Sequence, residues 1–244
     1  MSSIKISIIT ATLNSANNLE SLFKSVIPHI SNRIEFIIID GKSEDGTLEI
    51  IKKYSHFLSH WESSSDGGIY EAFNKGIKAA KGEFISFVGS DDILLENYSE
   101  AYLGSILNNP DCNYFSSKAI LKNIEVGKNF SWKELAMGMK AVHPGSLHKR
   151  ILFDNDRFFN TSYKIASDYD FLIKCGTLIN NYFIDQPTII IGPNGVSNLN
   201  RGLALKEEFQ IKNKNNLNNY FINLIYLYYA KIKIKIKKFI FNIF

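Results

Sequence analysis

The segment Phe84-Ile85-Ser86-Phe87-Val88-Gly89-Ser90-Asp91-Asp92 joins an apolar run to two adjacent carboxylates. Neighbouring carboxylates at the end of a buried strand repel each other unless a cation offsets them. That end of a strand is also where open α/β sheets bind ligands. The chemistry indicated is a divalent cation, Mn²⁺ or Mg²⁺, holding an anionic ligand, most simply a diphosphate. The ordinary alternative is a helix N-cap, because Leu94, Leu95, Tyr98 and Leu103 are spaced like a helix just beyond.

Three further polar loops follow apolar runs. Thr12 and Asn14 come after the first, Asp40 opens Asp-Gly-Lys-Ser-Glu-Asp-Gly-Thr after the second, and Asp66-Gly67-Gly68 follows the third. Each loop alone is ordinary turn and cap chemistry. Four in succession, all at strand ends, point to one crevice. The glycines there permit close backbone approach.

The elements that must position these loops alternate regularly. Residues 4–10 read as a strand. Leu19, Leu22, Phe23, Val26, Ile27 and Ile30 then trace one face of a helix that Asn14 or Ser15 can cap. Residues 34–39 are a β-branched run suited to a strand buried on both faces. Asp45 can cap a helix reaching about Tyr54. A strand near 57–62, a helix over 69–80 and a strand over 84–88 complete the pattern. This alternation predicts an α/β fold, a doubly wound, mostly parallel sheet with helices on both faces. Later the spacing predicts strands over 112–121 and 182–191, the latter interrupted by Pro187. It also predicts a helix over 168–180 with Phe171, Leu172, Cys175 and Leu178 inward, and a loop over 192–200. Nothing resembling a linker or a repeat divides the chain.

Composition narrows the classes. Two cysteines, Cys112 and Cys175, have neither metal-ligand spacing nor a disulfide framework, which with the unleadered N-terminus predicts a cytoplasmic protein. Of the net charge of +4, five lysines lie in the last fourteen residues, and the body is close to neutral. Nucleic acid therefore has no basic surface to bind. The ending KIKIKIKKFIFNIF alternates with period two, which predicts an amphipathic strand rather than a helix. Residues 217–244 could lie on an anionic membrane face.

SIITATLNSANNLESLFKSV, EFIIIDGKSEDGTLEII and SSSDGGIYEAFNKGIKAAKGEFISFVGSDD together resemble the family 2 glycosyltransferases, inverting enzymes of GT-A fold. The closest likeness is to bacterial enzymes of O-antigen, capsule and lipopolysaccharide synthesis. The resemblance implies a GT-A domain over 1–205, with a donor half at 1–107, an acceptor half at 108–205 and a basic amphipathic extension at 206–244. It implies a nucleotide-sugar donor, a UDP-hexose above all, and a sugar acceptor that is lipid-linked at the inner face of the cytoplasmic membrane. Carried over by position, Thr12, Asn14, Asp40 and Asp66 would contact the nucleotide, while Asn74 and Gly82 would shape the donor pocket. Asp92 would be the direct metal ligand, and Asp91 would stand nearer the ribose or sugar. Ser90 replaces the first acid of the fuller motif. Asp168 would be the catalytic base, with Asp170 as fallback and His143 on the acceptor side. A sugar nucleotidylyltransferase fits less well, because Thr12-Leu13-Asn14 replaces its basic glycine-rich loop. An inactive scaffold of the same fold is the non-enzymatic alternative.

Overall fold

A computed structural model describes residues 5–139, 141–193, 195 and 200–241, with backbone only from 233 onward. Its first strand, β1 (Ile6–Thr12), ends two residues later than its hydrophobic run suggests, because Thr12 still pairs with Asp40. The helix α1 (Ala16–Val26) buries Leu19, Leu22, Phe23 and Val26 on the face the spacing predicts. Then follow β2 (Ile34–Asp40), buried throughout, α2 (Thr47–Tyr54), β3 (His60–Ser63), α3 (Ile69–Ala79) and β4 (Phe84–Phe87).

Beyond β4 the chain departs from the helical reading of the Asp91-Asp92 region. Ile93 and Leu94 form a short strand, β5, and the next helix, α4 (Tyr98–Asn108), begins after Asn97. The paired aspartates are therefore not a helix cap. There follow β6 (Tyr114–Leu121), β7 (Ile124–Val126), α5 (Trp132–Ala136), β8 (Leu147–Lys149), α6 (Ser167–Cys175) and β9 (Asn181–Ile190). The helix expected over 168–180 stops early, at Gly176, whose φ of 56° lies in the left-handed region. Leu178 is consequently 56% exposed instead of inward. The loop expected over 192–200 lies partly outside the described residues.

Two helices close the chain, α7 (Arg201–Lys214) and α8 (Tyr220–Phe241). The second corrects the strand expected for the lysine–isoleucine alternation. Among the described residues no sheet edge receives this segment. It continues a helix already nucleated at Tyr220, and extending a formed helix costs far less than starting a strand alone. Residues 242–244 lie outside the described residues. The boundary placed at 205 falls within α7, whose Glu207, Ile211 and Lys212 are buried in the body.

The strands form one mixed sheet in the order β3-β2-β1-β4-β8-β6-β9-β5, with β7 on β6. Strands β1 to β4 pair in parallel, so their carboxyl ends share one edge. Antiparallel pairing of β8 with β4 brings the start of β8, and the His143 loop before it, to that same edge. Alternating residues feed two cores: Ile9, Ile37, Ile39, Ile85 and Phe87 on the α3–α6 face, and Ile8, Phe36, Ile38 and Phe84 on the α1–α4 face. Each such side chain contributes roughly 1.5–3 kcal/mol by leaving water.

Candidate active site

Along the carboxyl edge lies a crevice of about 560 Å³, lined by Thr12, Asn14, Asp66, Gly68, Ser90 and Asp91 among others. A smaller cavity of about 150 Å³ adjoins it, lined by Tyr70, Asp91, Asp92, His143, Lys164 and Asp168 among others. Asp91 and Gly89 belong to both.

The crevice wall is built from loops bonded to one another. Asn14 has a φ of 49°, a conformation that Asn tolerates better than most residues. Its N–H donates to Ser43 Oγ at 2.8 Å, and its Oδ1 accepts from the Glu44 N–H at 3.0 Å. The hydroxyls of Ser15 and Ser90 meet at 2.9 Å and tie the β1 loop to the β4 loop. Thr12 Oγ1 is buried without a partner at the crevice. Asp66 accepts the Gly68 N–H at 2.9 Å, and Gly41 lets it approach closely: a Cβ at Gly41 would stand 3.3 Å from Asp66 Oδ2.

Asp91 and Asp92 have different surroundings. Asp92 is buried, its Oδ2 accepting the Gly89 N–H at 2.7 Å and its Oδ1 the Gly192 N–H at 2.8 Å. Burial pushes its carboxyl up to about 6, against the two amide bonds that favour the charged form. Asp91 packs on the backbone of Gly192, where a Cβ would lie 2.2 Å from its Cγ. Any side chain at 192 would displace that carboxylate. Among the described residues no group of three or more His, Cys, Asp and Glu gathers as a metal cage. A desolvated carboxylate beside a second one still fits Mn²⁺ or Mg²⁺, which take one or two carboxylates and complete their shell with phosphate and water.

Asp168 lies in the first turn of α6, whose cap position is Ala166, so it is not the cap. Its Oδ1 accepts the Tyr169 N–H at 2.8 Å and the Tyr70 hydroxyl at 3.3 Å. Burial, and then the Asp168 charge, hold the Tyr70 phenol far above its ordinary range, so it remains a donor. His143 is 9% exposed and stacks on Phe87 at 5.5 Å between ring centroids, with Nε2 lacking a partner. Burial lowers its pKa although Asp168 opposes the shift, and the ring stays neutral near pH 7.

Four residues assigned to the site stand elsewhere. Asp40 is fully buried: it accepts from the Ser43 hydroxyl, from the Ser43 N–H at 3.0 Å and from the Ser63 hydroxyl at 2.6 Å. It shapes the crevice from beneath without lining it. Asn74 pins Phe159, accepting its N–H at 3.0 Å and donating to its carbonyl at 2.9 Å. Gly82 precedes β4, at the opposite edge of the sheet, where a Cβ would meet the Ser7 nitrogen at 2.6 Å. Asp170 is buried against Lys174 at 2.7 Å and lines neither cavity. Sequence reasoning missed Tyr70, Lys164 and Gly192. A glycine after an apolar strand hinted at the last; no local spacing marked Lys164.

Residues 7–171 match the model of Glycosyl transferase family 2. This chain belongs to that family. A PGL/p-HBAD biosynthesis glycosyltransferase of Mycobacterium bovis is 29% identical over 175 residues, 69% of this chain and 68% of its own length. The crystal structure of S. aureus TarS 1–349 in complex with UDP-GlcNAc has a TM-score of 0.71 at 21% identity, covering 92% of this chain and 70% of that one. This glycosyltransferase spans 42% of the longer TarS chain. A mannosyltransferase from Pyrobaculum calidifontis in complex with GDP-Man and Mn²⁺ has a TM-score of 0.68 at 16% identity, covering 93% and 70%. The mixed sheet of this family 2 enzyme is the GT-A architecture of those structures. Membership in a glycosyl transferase family favours glycosyl transfer over the nucleotidylyl transfer weighed above.

Proposed function

We propose that this chain is an inverting glycosyltransferase that moves a hexose from a UDP-sugar to a lipid-linked sugar acceptor in surface polysaccharide synthesis of the O-antigen or capsule type. One observation carries the reading: Asp91 stands where a nucleotide-sized crevice meets a smaller cavity whose wall holds Asp168, from a remote part of the chain. The crevice suits a nucleotide diphosphate, and the smaller cavity suits the reacting sugar. Asp168 takes the proton of the acceptor hydroxyl as its oxygen bonds to the anomeric carbon and the bond to the diphosphate breaks. Asp91 and Asp92 would hold a divalent cation, which would offset charge on the departing diphosphate. Tyr70 orients the Asp168 carboxylate, and the neutral His143 imidazole can bond a sugar hydroxyl.

The membrane reading draws on α8. Phe221, Ile225, Tyr228 and Ile232 recur at helical spacing and are all more than half exposed, ahead of the lysine-rich end. No described helix is long and apolar enough to cross a membrane, so the contact proposed is peripheral.

The test is a thermal-shift titration of UDP- and GDP-sugars with and without Mn²⁺. A UDP-sugar should raise the melting temperature in a metal-dependent way, and Asp91→Asn should abolish the metal dependence. A chain that responds to no nucleotide sugar would overturn the proposal.

A further inference from the structure

We infer that Glu207 is a positioning residue for the Asp168 carboxylate, an inference that rests on the base role proposed above. Glu207 lies on α7 and is 5% exposed. Its Oε1 accepts the Lys164 N–H at 2.8 Å, and its Oε2 accepts the N–H groups of Ile165 and Ala166, each at 2.9 Å. These three residues lead directly into α6, and Ala166 is its cap position.

Amides at a helix start have no partner within the helix and carry partial positive charge. Ser, Thr, Asp or Asn at the cap ordinarily supplies an acceptor; alanine has none. Here a carboxylate from a distant helix binds the amides of the cap residue and of the two residues before it, and the Tyr169 amide inside the first turn is taken by Asp168 itself. The same backbone is held from its other side, where the single Tyr70 O–H is shared between the Ile165 carbonyl, its close partner, and Asp168 Oδ1 at 3.3 Å. N–H groups gripped by one side chain and a carbonyl gripped by another leave residues 164–166 little freedom. Asp168, two residues on, inherits that precision. So does Lys164, whose Nζ donates to the Gly67 carbonyl at 3.0 Å beside the cavity.

A misplaced base loses turnover while donor binding, which occurs in the neighbouring crevice, is untouched. Glu207→Gln keeps the volume but turns an N–H donor toward one of the three amides. Turnover of the UDP-sugar selected by the titration above should fall on the order of a hundredfold, with UDP affinity unchanged and faster hydrogen exchange at residues 164–166. Added to Asp168→Asn, it should cause no further loss, because both changes act through one group. Glu207→Asp, which keeps the charge but shortens the reach, should lose less turnover and carries the comparison if the glutamine variant does not fold. Normal turnover in Glu207→Gln beside an inactive Asp168→Asn would overturn the inference. So would losses that multiply in the double variant, the mark of a general structural role. Full turnover in Asp168→Asn alone would instead overturn the base reading on which the inference stands.

Discussion

The crevice wall built from residues 12–92 and the cavity wall built from residues 143–207 are held in different ways. In the first, neighbouring loops bond to one another at the ends of parallel strands: Ser43 to Asp40 and Asn14, Ser15 to Ser90, Asp92 to Gly89. In the second, single long-range pins do the work: Asn74 to Phe159, Tyr70 to Ile165, Glu207 to residues 164–166. Among the described residues, buried atoms without hydrogen-bond partners, such as His143 Nε2 and Ser167 Oγ, are more frequent on that side. The first wall is a consequence of topology, since parallel strands bring their carboxyl ends to one edge. The second is a set of separate contacts, each removable by one substitution. Damage to the first wall should therefore show in donor binding, and damage to the second in turnover.

The sharpest division between the walls should come from Asp168→Asn. Removing a general base costs about 10²–10⁴-fold in rate, while UDP binding, measured by calorimetry, should stay at the wild-type value. Weakened UDP binding in that variant would show that the walls are not separate.

A second division is in pH. The Asp92 carboxyl sits at about 6 in the fold, above its ordinary 3.8. The native state therefore binds a proton more readily than the unfolded chain across that interval, and this group's contribution falls as pH rises from about 4 to 6. The difference amounts to about 2–3 kcal/mol. In metal-free protein, Asp92→Asn should remove that slope from a plot of melting temperature against pH, measured relative to wild type. Affinity for Mn²⁺ should drop below pH 6 as the carboxyl is protonated. An unchanged slope in the variant would place the titration elsewhere.

Smaller effects should follow at the pins. Gly82→Ala forces a Cβ against the Ser7 nitrogen and should destabilise by about 1–3 kcal/mol, yet leave UDP affinity intact, since that edge is remote from the crevice. Asn74→Ala should cost about 1–2 kcal/mol in chemical denaturation and lower turnover more than donor affinity. The mildest change is expected outside both walls. Phe221→Glu with Ile225→Glu should leave the melting temperature nearly unchanged and reduce sedimentation with anionic vesicles. Equal sedimentation would remove α8 as a membrane contact.

Much of the donor wall was legible because its signals are local. The β-branched run at 34–39 and the period of Leu19, Leu22, Phe23 and Val26 each report the element that contains them. The lysine–isoleucine tail misled for the same reason: period two describes a strand only where a sheet edge accepts it, and α8 has none. The aspartates show the limit most plainly. Asp40, Asp91, Asp92, Asp168 and Asp170 are alike in sequence, and each stands near an element end. Folding closes Asp40 under Ser43 and Ser63 and turns Asp170 to Lys174. It leaves Asp91 and Asp168 facing one cavity, with Asp92 beside them.

By itself, then, the sequence determined the strand–helix alternation from β1 to β4, the sheet edge at which the polar loops gather and the family to which the chain belongs. Hydrophobic period and turn residues act over a few positions, so they survive reading without a structure. Only the tertiary structure decided which carboxylates are open, that Gly82 packs rather than binds, and that Glu207 reaches the approach to α6. Those outcomes depend on where a side chain points and on partners tens of residues away, which the long-range packing of the sheet and its helices alone brings within hydrogen-bond reach.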